Sequence, residues 1–296
     1  MIRSTITIWL SSALLVGAGC GSNDNPNYSP SESKIDLVHI NDKTQVDPPN
    51  EFGFSKISIR NGENYQEGVL DAQRQEVIVP STKLLVHDIT DSMALIGLEN
   101  KFLFVPLEDG PYSYKELSEV DGFQYATPYR CGVAMVVLQD LWFYIKEDGT
   151  RVSEESFDWA EPFHLDRALV KNGERFQIIK PDGTVVKVLE YDQASVQSPW
   201  CWQVTSRVDG KWKSGFVDLD GNRITDLIFD NVGYYDPEVQ RIRVYKDERF
   251  GFVDERANLV IPVHYEYANP FDRGTSRVTV EGRTFLIDPN GNVVPD

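Results

Sequence analysis

The sequence predicts an all-β fold built from about seven three- to four-stranded antiparallel repeat units. Three observations predict it. Short aromatic and β-branched segments recur at a regular spacing, most of them are followed by a turn that contains glycine, and no sustained helical period interrupts them. With 41% hydrophobic residues, the chain also has enough apolar material for a packed core.

The register of the repeats is set by the residue that ends the central strand of each unit. The equivalent residues are Asp71, Pro106, Lys146, Lys180, Asp218, Asp254 and Asp288. Successive members lie 34 to 40 residues apart, which is the period of a β-repeat array. The spacing predicts a single β-repeat domain over residues 35–296.

Each unit is predicted to contain a hairpin that a third strand precedes. Residues 250–254 form one central strand, Leu219-Asp220-Gly221 is one of the glycine turns, and residues 259–261 form one of the strands that follow. The strands predicted ahead of the hairpins are 57–60, 93–98, 133–138, 168–171, 202–208, 241–245 and 276–280. Because residues 133–138 are apolar throughout, we expect that strand to be covered on both faces, as in small stacked sheets.

The best-preserved unit resembles the WG-repeat proteins. The matching phrases are Gly251-Phe252-Val253-Asp254, Val260-Ile261-Pro262, Tyr265-Glu266-Tyr267-Ala268, Phe271 and Gly274. The resemblance extends over residues 57–296 in degenerate copies, since no unit has Trp directly followed by Gly and Trp212 is separated from Gly215 by two residues. The family is defined by its repeat rather than by an activity, so the resemblance implies a fold and no catalytic residues.

The two ends of the repeat array favour a closed arrangement. The last unit stops at Asp296, directly after its second hairpin strand, whereas residues 35–40 form a spare strand ahead of the first unit. In a propeller-like ring the N-terminal segment would complete the final unit and hide both exposed sheet edges. An open β superhelix is the alternative. We expect the ring.

The N-terminus has the layout of an export signal. Arg3 precedes an apolar run over residues 6–16, and Val16-Gly17-Ala18-Gly19-Cys20 resembles the lipobox of bacterial lipoproteins. The resemblance implies a signal peptide over residues 1–19 and lipid attachment at Cys20. Residues 20–34 are rich in Asn, Ser and Pro and are predicted to form a flexible tether. An ordinary secretory signal cut nearby is the alternative.

The charge and the N-terminus together predict the compartment and exclude some partners. A net charge of −17 argues against nucleic acid and against electrostatic binding to an anionic membrane surface. We expect a monomer in the bacterial cell envelope, lipid-anchored outside the cytoplasm through Cys20. Cys131 and Cys201 fall two units apart, so we expect no bridge between them and interpret both as small buried thiols.

The residues that could carry chemistry all have a simpler structural interpretation. Asp218-Leu219-Asp220-Gly221-Asn222 resembles the start of a calcium loop, but the equivalent turns lack its oxygen pattern and no glutamate follows at the twelfth position, which favours a plain hairpin turn. The four histidines, His39, His87, His164 and His264, show no metal-ligand spacing. We therefore predict no catalytic, cofactor-binding or metal-binding residues, and no cofactor.

Aromatic residues and carboxylates keep three functional hypotheses open. Trp159, Trp200, Trp202 and Trp212 could form a surface that stacks on sugars or peptides, although such residues usually pack between repeat units. The leading hypothesis is a non-enzymatic binding or scaffold module for proteins or envelope polymers. The alternatives are an envelope glycan hydrolase that uses a carboxylate pair on one face of the ring, and a purely structural spacer.

Overall fold

The computed structural model describes residues 44–61, 64–73, 76–82, 84–90, 92–110 and 114–295. The predicted signal peptide, the tether, Cys20, His39 and the spare strand at residues 35–40 lie outside the described residues. The chain divides into two compact units, an N-terminal unit that ends at Glu154 and a C-terminal unit that begins at Glu155.

Within the described ranges, the N-terminal unit contains three antiparallel sheets whose strands follow one another in chain order. The first sheet contains β1 (Thr44–Val46), β2 (Phe54–Asn61), β3 (Asn64–Asp71) and β4 (Glu76–Thr82); the second contains β5 (Leu84–Ile89), β6 (Met93–Leu98) and β7 (Lys101–Pro106); the third contains β8 (Tyr125–Ala126), β9 (Val133–Leu138) and β10 (Leu141–Lys146).

The described part of the C-terminal unit contains four further antiparallel sheets. The fourth sheet contains β11 (Trp159–Ala160), β12 (Ala168–Asn172), β13 (Arg175–Ile179) and β14 (Val185–Leu189); the fifth contains β15 (Gln193–Ser198), β16 (Cys201–Val208) and β17 (Lys211–Asp218); the sixth contains β18 (Asn231–Asp236), β19 (Arg241–Lys246), β20 (Arg249–Asp254) and β21 (Leu259–Tyr265); the seventh contains β22 (Tyr267–Ala268), β23 (Ser276–Val280), β24 (Arg283–Ile287) and β25 (Val293–Val294). The prediction of an all-β chain of small three- to four-stranded antiparallel units is confirmed.

Each sheet contains a main hairpin, and in the second to seventh sheets a two-residue turn joins its strands. In four of these turns both central residues have positive φ, which is the geometry of type I′ and matches the twist of antiparallel strands. The turn residues are Gln139 and Asp140, Asp209 and Gly210, Asp247 and Glu248, and Glu281 and Gly282. The left-handed region is costly for residues with a side chain, so neighbouring contacts must hold these turns.

The predicted glycine turns connect the main hairpin to the next strand or segment of the same unit. Gly221 N–H donates to the carbonyl of Asp218 at 2.9 Å, and Asp218 N–H donates to the carbonyl of Asn222 at 2.8 Å, which closes a three-residue loop. Gly221 has a φ of 78°. In the sixth sheet Ala257 takes the equivalent turn position, with a φ of 63°. The turn geometry therefore tolerates a residue other than glycine.

Hydrophobic clusters form between successive sheets of each unit. Cys201 and Phe216 of the fifth sheet pack with Ile242, Val244 and Val253 of the sixth. On the opposite face of the fifth sheet, Trp202 and Val204 pack with Leu169 and Ile178 of the fourth. Strand β9 is buried on both faces over residues 133–137, as the apolar run at residues 133–138 predicts, and β16 is buried on both faces at Cys201 and Trp202.

A short helix, α1 (Tyr114–Glu119), follows β7 and has no counterpart in the predicted repeat. Leu117 is 3% exposed and packs into the cluster between the first two sheets. The Lys101 ammonium donates to the carbonyl of Ser118 at 2.8 Å, at the C-terminal end of the helix, where a cation is favourable. Tertiary contacts thus stabilise a helix that is too short to show a periodic pattern.

Candidate interaction surface

The carboxylates at the register position stabilise their own turns. Asp218, Asp254 and Asp288 each accept hydrogen bonds from the backbone two and four residues later and from an asparagine side chain. For Asp254 the donors are Arg256 N–H at 2.9 Å, Asn258 N–H at 2.8 Å and Asn258 Nδ2 at 2.9 Å. The Asn292 side chain and backbone lower the pKa of Asp288 in the same way. These donors satisfy both carboxylate oxygens, so the recurring acid is a turn residue.

In the third and fourth sheets, a different carboxylate stabilises the equivalent turn. Where the register residue is lysine, an aspartate two residues later accepts the hydrogen bonds: Asp148 accepts from Thr150 N–H and Asp182 from Thr184 N–H, both at 2.9 Å. The threonine side chains are the main cause of the lowered pKa of both carboxyl groups. In these two sheets the acidic residue lies two positions later in the loop, but it stabilises the same connection.

A second recurring acid, which directly follows Phe157, Phe229 or Tyr265, holds the main hairpin turn. Gly173 N–H donates to Asp158 Oδ2 at 2.7 Å, and Asp247 N–H donates to Asp230 Oδ2 at 3.0 Å. In the seventh sheet Glu266 Oε2 accepts from the turn residue Gly282 at 3.3 Å. The side chains of the repeated acids therefore bind backbone amides instead of converging as a carboxylate pair.

Residues 218–222 resemble the start of a calcium loop, but their carboxylates are bound by other groups of the protein. Asp220 Oδ1 lies 2.8 Å from Arg167 Nε and 2.7 Å from Arg167 Nη2, so its carboxylate pairs with the residue directly before β12. The Asp218 carboxylate accepts its turn hydrogen bonds. Across the described ranges, no three His, Cys, Asp or Glu side chains form a group that could hold a metal ion.

The nucleophile and imidazole candidates lie apart from one another. Cys201 is a fully buried free thiol, and burial raises its pKa to about 11, whereas a nucleophilic cysteine needs a lowered pKa. His164 lies edge-on to Trp202 at 6.4 Å between ring centroids, and His264 Nδ1 is 2.9 Å from the carbonyl of Pro262. His87 packs against Phe102 at 5.1 Å. Each of these three imidazoles contacts a different part of the fold.

Aromatic residues four positions before the register residue pack between strands and sheets. Phe250 contacts Tyr245 at 4.6 Å and Tyr267 of the next sheet at 6.1 Å between ring centroids. In the N-terminal unit, Phe102 contacts Tyr125 of the following sheet at 5.6 Å. This is the position of the tryptophan in the WG phrase, and its role in these units is packing.

The four tryptophans named from the sequence have different environments. Trp202 is fully buried, and Trp159 is half-buried. Trp200 is half-buried beneath Arg256, whose guanidinium carbon is 4.2 Å from the ring centroid. Trp212 is 46% exposed, so it is the only one of the four that offers a large free surface to a partner.

In the fifth sheet, Trp212 lies outside the position at which an aromatic residue packs in other sheets. The equivalent of Phe250 is Ser214, which is buried and hydrogen-bonded to Thr205 at 2.8 Å. Trp212 lies two residues earlier, on the same face of β17, directly opposite Arg207. The Arg207 guanidinium carbon is 5.0 Å from the ring centroid, the distance of a cation–π contact.

The main hairpin of the fifth sheet is longer than the other three of the C-terminal unit. β16 and β17 have eight residues each, whereas the equivalent strands have five or six. The extra length places residues 207–212 at an exposed end, which we call the hairpin tip. The sequence shows that two residues separate Trp212 from Gly215. It did not predict that Arg207 and Lys211 are exposed.

The hairpin tip carries two cations, Arg207 and Lys211, and one carboxylate, Asp209, on a strongly acidic chain. Arg207 and Lys211 are exposed, while nearby Lys213 is ion-paired with Asp230 at 2.6 Å. Asp192 Oδ2 accepts a hydrogen bond from Arg207 N–H at 3.2 Å and so anchors the base of the tip. An exposed indole beside two cations can stack on a planar or sugar surface and attract an anionic group.

The comparisons with known proteins agree with a repeat fold. Residues 250–283 match the model of the WG containing repeat, so this segment carries a WG repeat within an all-β chain of small sheets. No curated protein matches the chain. The described part of the chain also contains no helix with the length and apolarity that a membrane span requires.

Several solved structures resemble the chain at low identity. A eukaryotic initiation factor is 10% identical with a TM-score of 0.44, over 82% of this chain and 74% of that one. Hsv2 from Kluyveromyces lactis is 10% identical with a TM-score of 0.33, over 83% and 77%. The WD40 domain of Pan2 from Neurospora crassa is 11% identical with a TM-score of 0.31, over 81% and 87%.

Proposed function

We propose that the protein is a non-enzymatic binding module that contacts a protein or an envelope polymer through the hairpin tip. One observation carries the proposal: the position where an aromatic residue packs between strands elsewhere is Ser214 in the fifth sheet, and Trp212, two residues earlier, stands exposed beside Arg207. Exposed aromatic and arginine side chains are the residues that dominate binding energy at interfaces. The two cations favour a partner with an anionic surface.

Site-specific photo-crosslinking tests the hairpin tip directly. A photoreactive residue in place of Val208, which is 37% exposed at the tip, should capture a discrete partner from envelope extract. Val185 on β14 is 45% exposed outside the tip and is the matched control position. Trp212→Ala in the Val208 variant should abolish the crosslink. Equal capture at both positions, or capture that persists without Trp212, contradicts the proposal.

The proposed arrangement is a propeller-like ring that a lipid at Cys20 tethers outside the cytoplasm, as a monomer. Its support is the lipobox-like sequence before Cys20, the polar tether at residues 20–34 and the seven small sheets of the described chain. Cys20→Ala should move the protein from the membrane fraction to the soluble fraction. Membrane retention of that variant contradicts the anchor.

The two alternatives predict different experimental outcomes. An envelope glycan hydrolase predicts new reducing ends when the purified protein is incubated with cell-wall and storage glycans. The hydrogen bonds that hold Asp158, Asp230 and Asp254 weaken that alternative, because these carboxylates already bind backbone amides. A structural spacer predicts no specific crosslink at Val208.

A further inference from the structure

A pocket of about 350 Å³ lies within the C-terminal unit, between the segment that follows β17 and strands β20 and β21. Most of its wall is apolar and includes Ile228, Val253 and Val263. Leu259 also lines it and is 57% exposed, although it is a large apolar residue on a strand. Within the described ranges the pocket therefore presents apolar surface to solvent, a property that ligand sites share.

The mouth of the pocket carries three charged residues from one type I′ turn. Lys246 and Arg249 flank the turn as a cross-strand pair, and Asp247 is its first central residue. Arg249 is ion-paired with Glu266 at 3.3 Å. The Lys246 side chain makes no hydrogen bond or ion pair within the described ranges, although its backbone pairs with Arg249. An unpaired ammonium beside an apolar pocket is notable on a chain of net charge −17.

Of the two carboxylates near Lys246, that of Asp230 is already engaged, whereas that of Asp247 lines the pocket beside the lysine. Asp230 accepts a hydrogen bond from Asp247 N–H at 3.0 Å and pairs with Lys213 at 2.6 Å, so both of its oxygens are engaged. The first of these contacts also fixes the turn that positions Lys246. The cation is thus held at the mouth by the fold and remains free to bind an anion.

We propose that this pocket binds a small amphipathic organic anion. Its apolar body lies against Val253, Leu259 and Val263, and its carboxylate is held by Lys246. The pocket volume of about 350 Å³ lies at the lower end of the range of small-molecule sites, which begins at about 300 Å³. Asp247 opposes the anion and therefore sets an upper limit on affinity. None of the residues of the hairpin tip lines the pocket, and the site does not depend on the proposed partner.

Calorimetric titration of the full-length protein with octanoate tests the site. Octanoate should bind, whereas 1-octanol and octylammonium, which have the same chain without a negative charge, should bind at least roughly fivefold more weakly. Lys246→Gln should weaken octanoate binding by roughly fivefold or more, and Asp247→Asn should strengthen it by roughly twofold to threefold. Lys180→Gln removes an exposed lysine outside the pocket and should leave binding unchanged.

The remaining outcomes overturn the assignment. If octanoate does not bind to the unsubstituted protein, or if octanol binds equally well, the pocket is not an anion site. If Lys180→Gln weakens binding as much as Lys246→Gln does, the effect is one of overall charge. Thermal unfolding of each variant identifies any loss of folding, and Asp247→Asn retains a residue that tolerates positive φ, so its gain in affinity is an independent check.

Discussion

The carboxylate of Asp254 accepts hydrogen bonds from N–H groups of its own turn. Its two oxygens accept three hydrogen bonds from Arg256 and Asn258, which lie in the turn that ends the central strand of the sixth sheet. The same arrangement recurs at Asp218 and Asp288. The recurrence of this acid in the sequence therefore reflects the folding of each unit and not a shared chemical reaction.

Asp254→Ala should lower the free energy of unfolding by about 1 kcal/mol, because the turn loses charge-assisted hydrogen bonds in a partly solvated setting. Urea unfolding would measure the change. Asp272→Ala is the matched control, since the Asp272 carboxylate makes no hydrogen bond within the described ranges. An equal loss in both variants would show that the turn contacts of Asp254 contribute nothing specific.

Asp230 links stability to pH. The Lys213 ammonium, followed by Asp247 N–H, holds the pKa of Asp230 below its ordinary value of 3.8. A carboxyl group whose pKa is lower in the folded state stabilises the protein above its unfolded pKa, and that contribution is lost as pH falls through the folded pKa. Native Asp230 therefore contributes stability near neutral pH and loses it in acid.

Asp230→Asn should flatten the acid limb of the stability curve. Between about pH 6 and about pH 3 the urea midpoint should fall further for the unsubstituted protein than for the variant, because asparagine has no charge to lose. Glu238→Gln removes an exposed carboxylate without a side-chain partner in the described chain and should leave the pH profile unchanged. Parallel profiles for the unsubstituted protein and Asp230→Asn would contradict the prediction.

At the scale of the element, the glycine of the WG phrase permits close approach of the next segment. A Cβ atom on Gly251 would lie 2.7 Å from the carbonyl oxygen of Ile261, and one on Gly215 would lie 2.5 Å from that of Asp226. In the sixth sheet the register between β20 and β21 shifts at this point, so a bulge lies opposite Gly251. The glycine is needed for space and not for an unusual φ.

Gly251→Ala should destabilise the protein by about 1–3 kcal/mol, because the bulged strand must move away from the added methyl group. The matched control is Gln177→Ala, at the same register position of the fourth sheet, where a side chain is already accommodated. Chemical unfolding should separate the two variants clearly. A Gly251→Ala protein as stable as Gln177→Ala would show that β21 can shift without cost.

Most strands could be predicted from the sequence, whereas exposure and pairing at the surface could not. Residues 93–98, 133–138 and 276–280 have the bounds predicted, because local β propensity and turn residues determine them. Helix α1 was missed because contacts of Leu117 and Lys101 with other elements stabilise it. The hairpin tip and the pocket depend on the lengths of neighbouring strands, which no local pattern encodes.

At the scale of the molecule, the ring remains a prediction, and so does the single domain over residues 35–296. A closed ring of that length should have a radius of gyration of about 18 Å, the scaling value for a compact domain, apart from the contribution of the tether. Small-angle X-ray scattering would measure it. A distance distribution with a long tail, retained after removal of residues 20–34, would favour the open β superhelix.

The alkylation rate of Cys201 reports how often two neighbouring sheets separate. The buried thiol of Cys201 lies in the cluster shared by the fifth and sixth sheets, and its sulfur is 3.6 Å from the carbonyl oxygen of Glu255. With a pKa raised to about 11 by burial, the thiol reacts with an alkylating reagent at neutral pH only after those sheets part. The labelling rate of Cys201 would thus time a local opening event that global unfolding experiments average away.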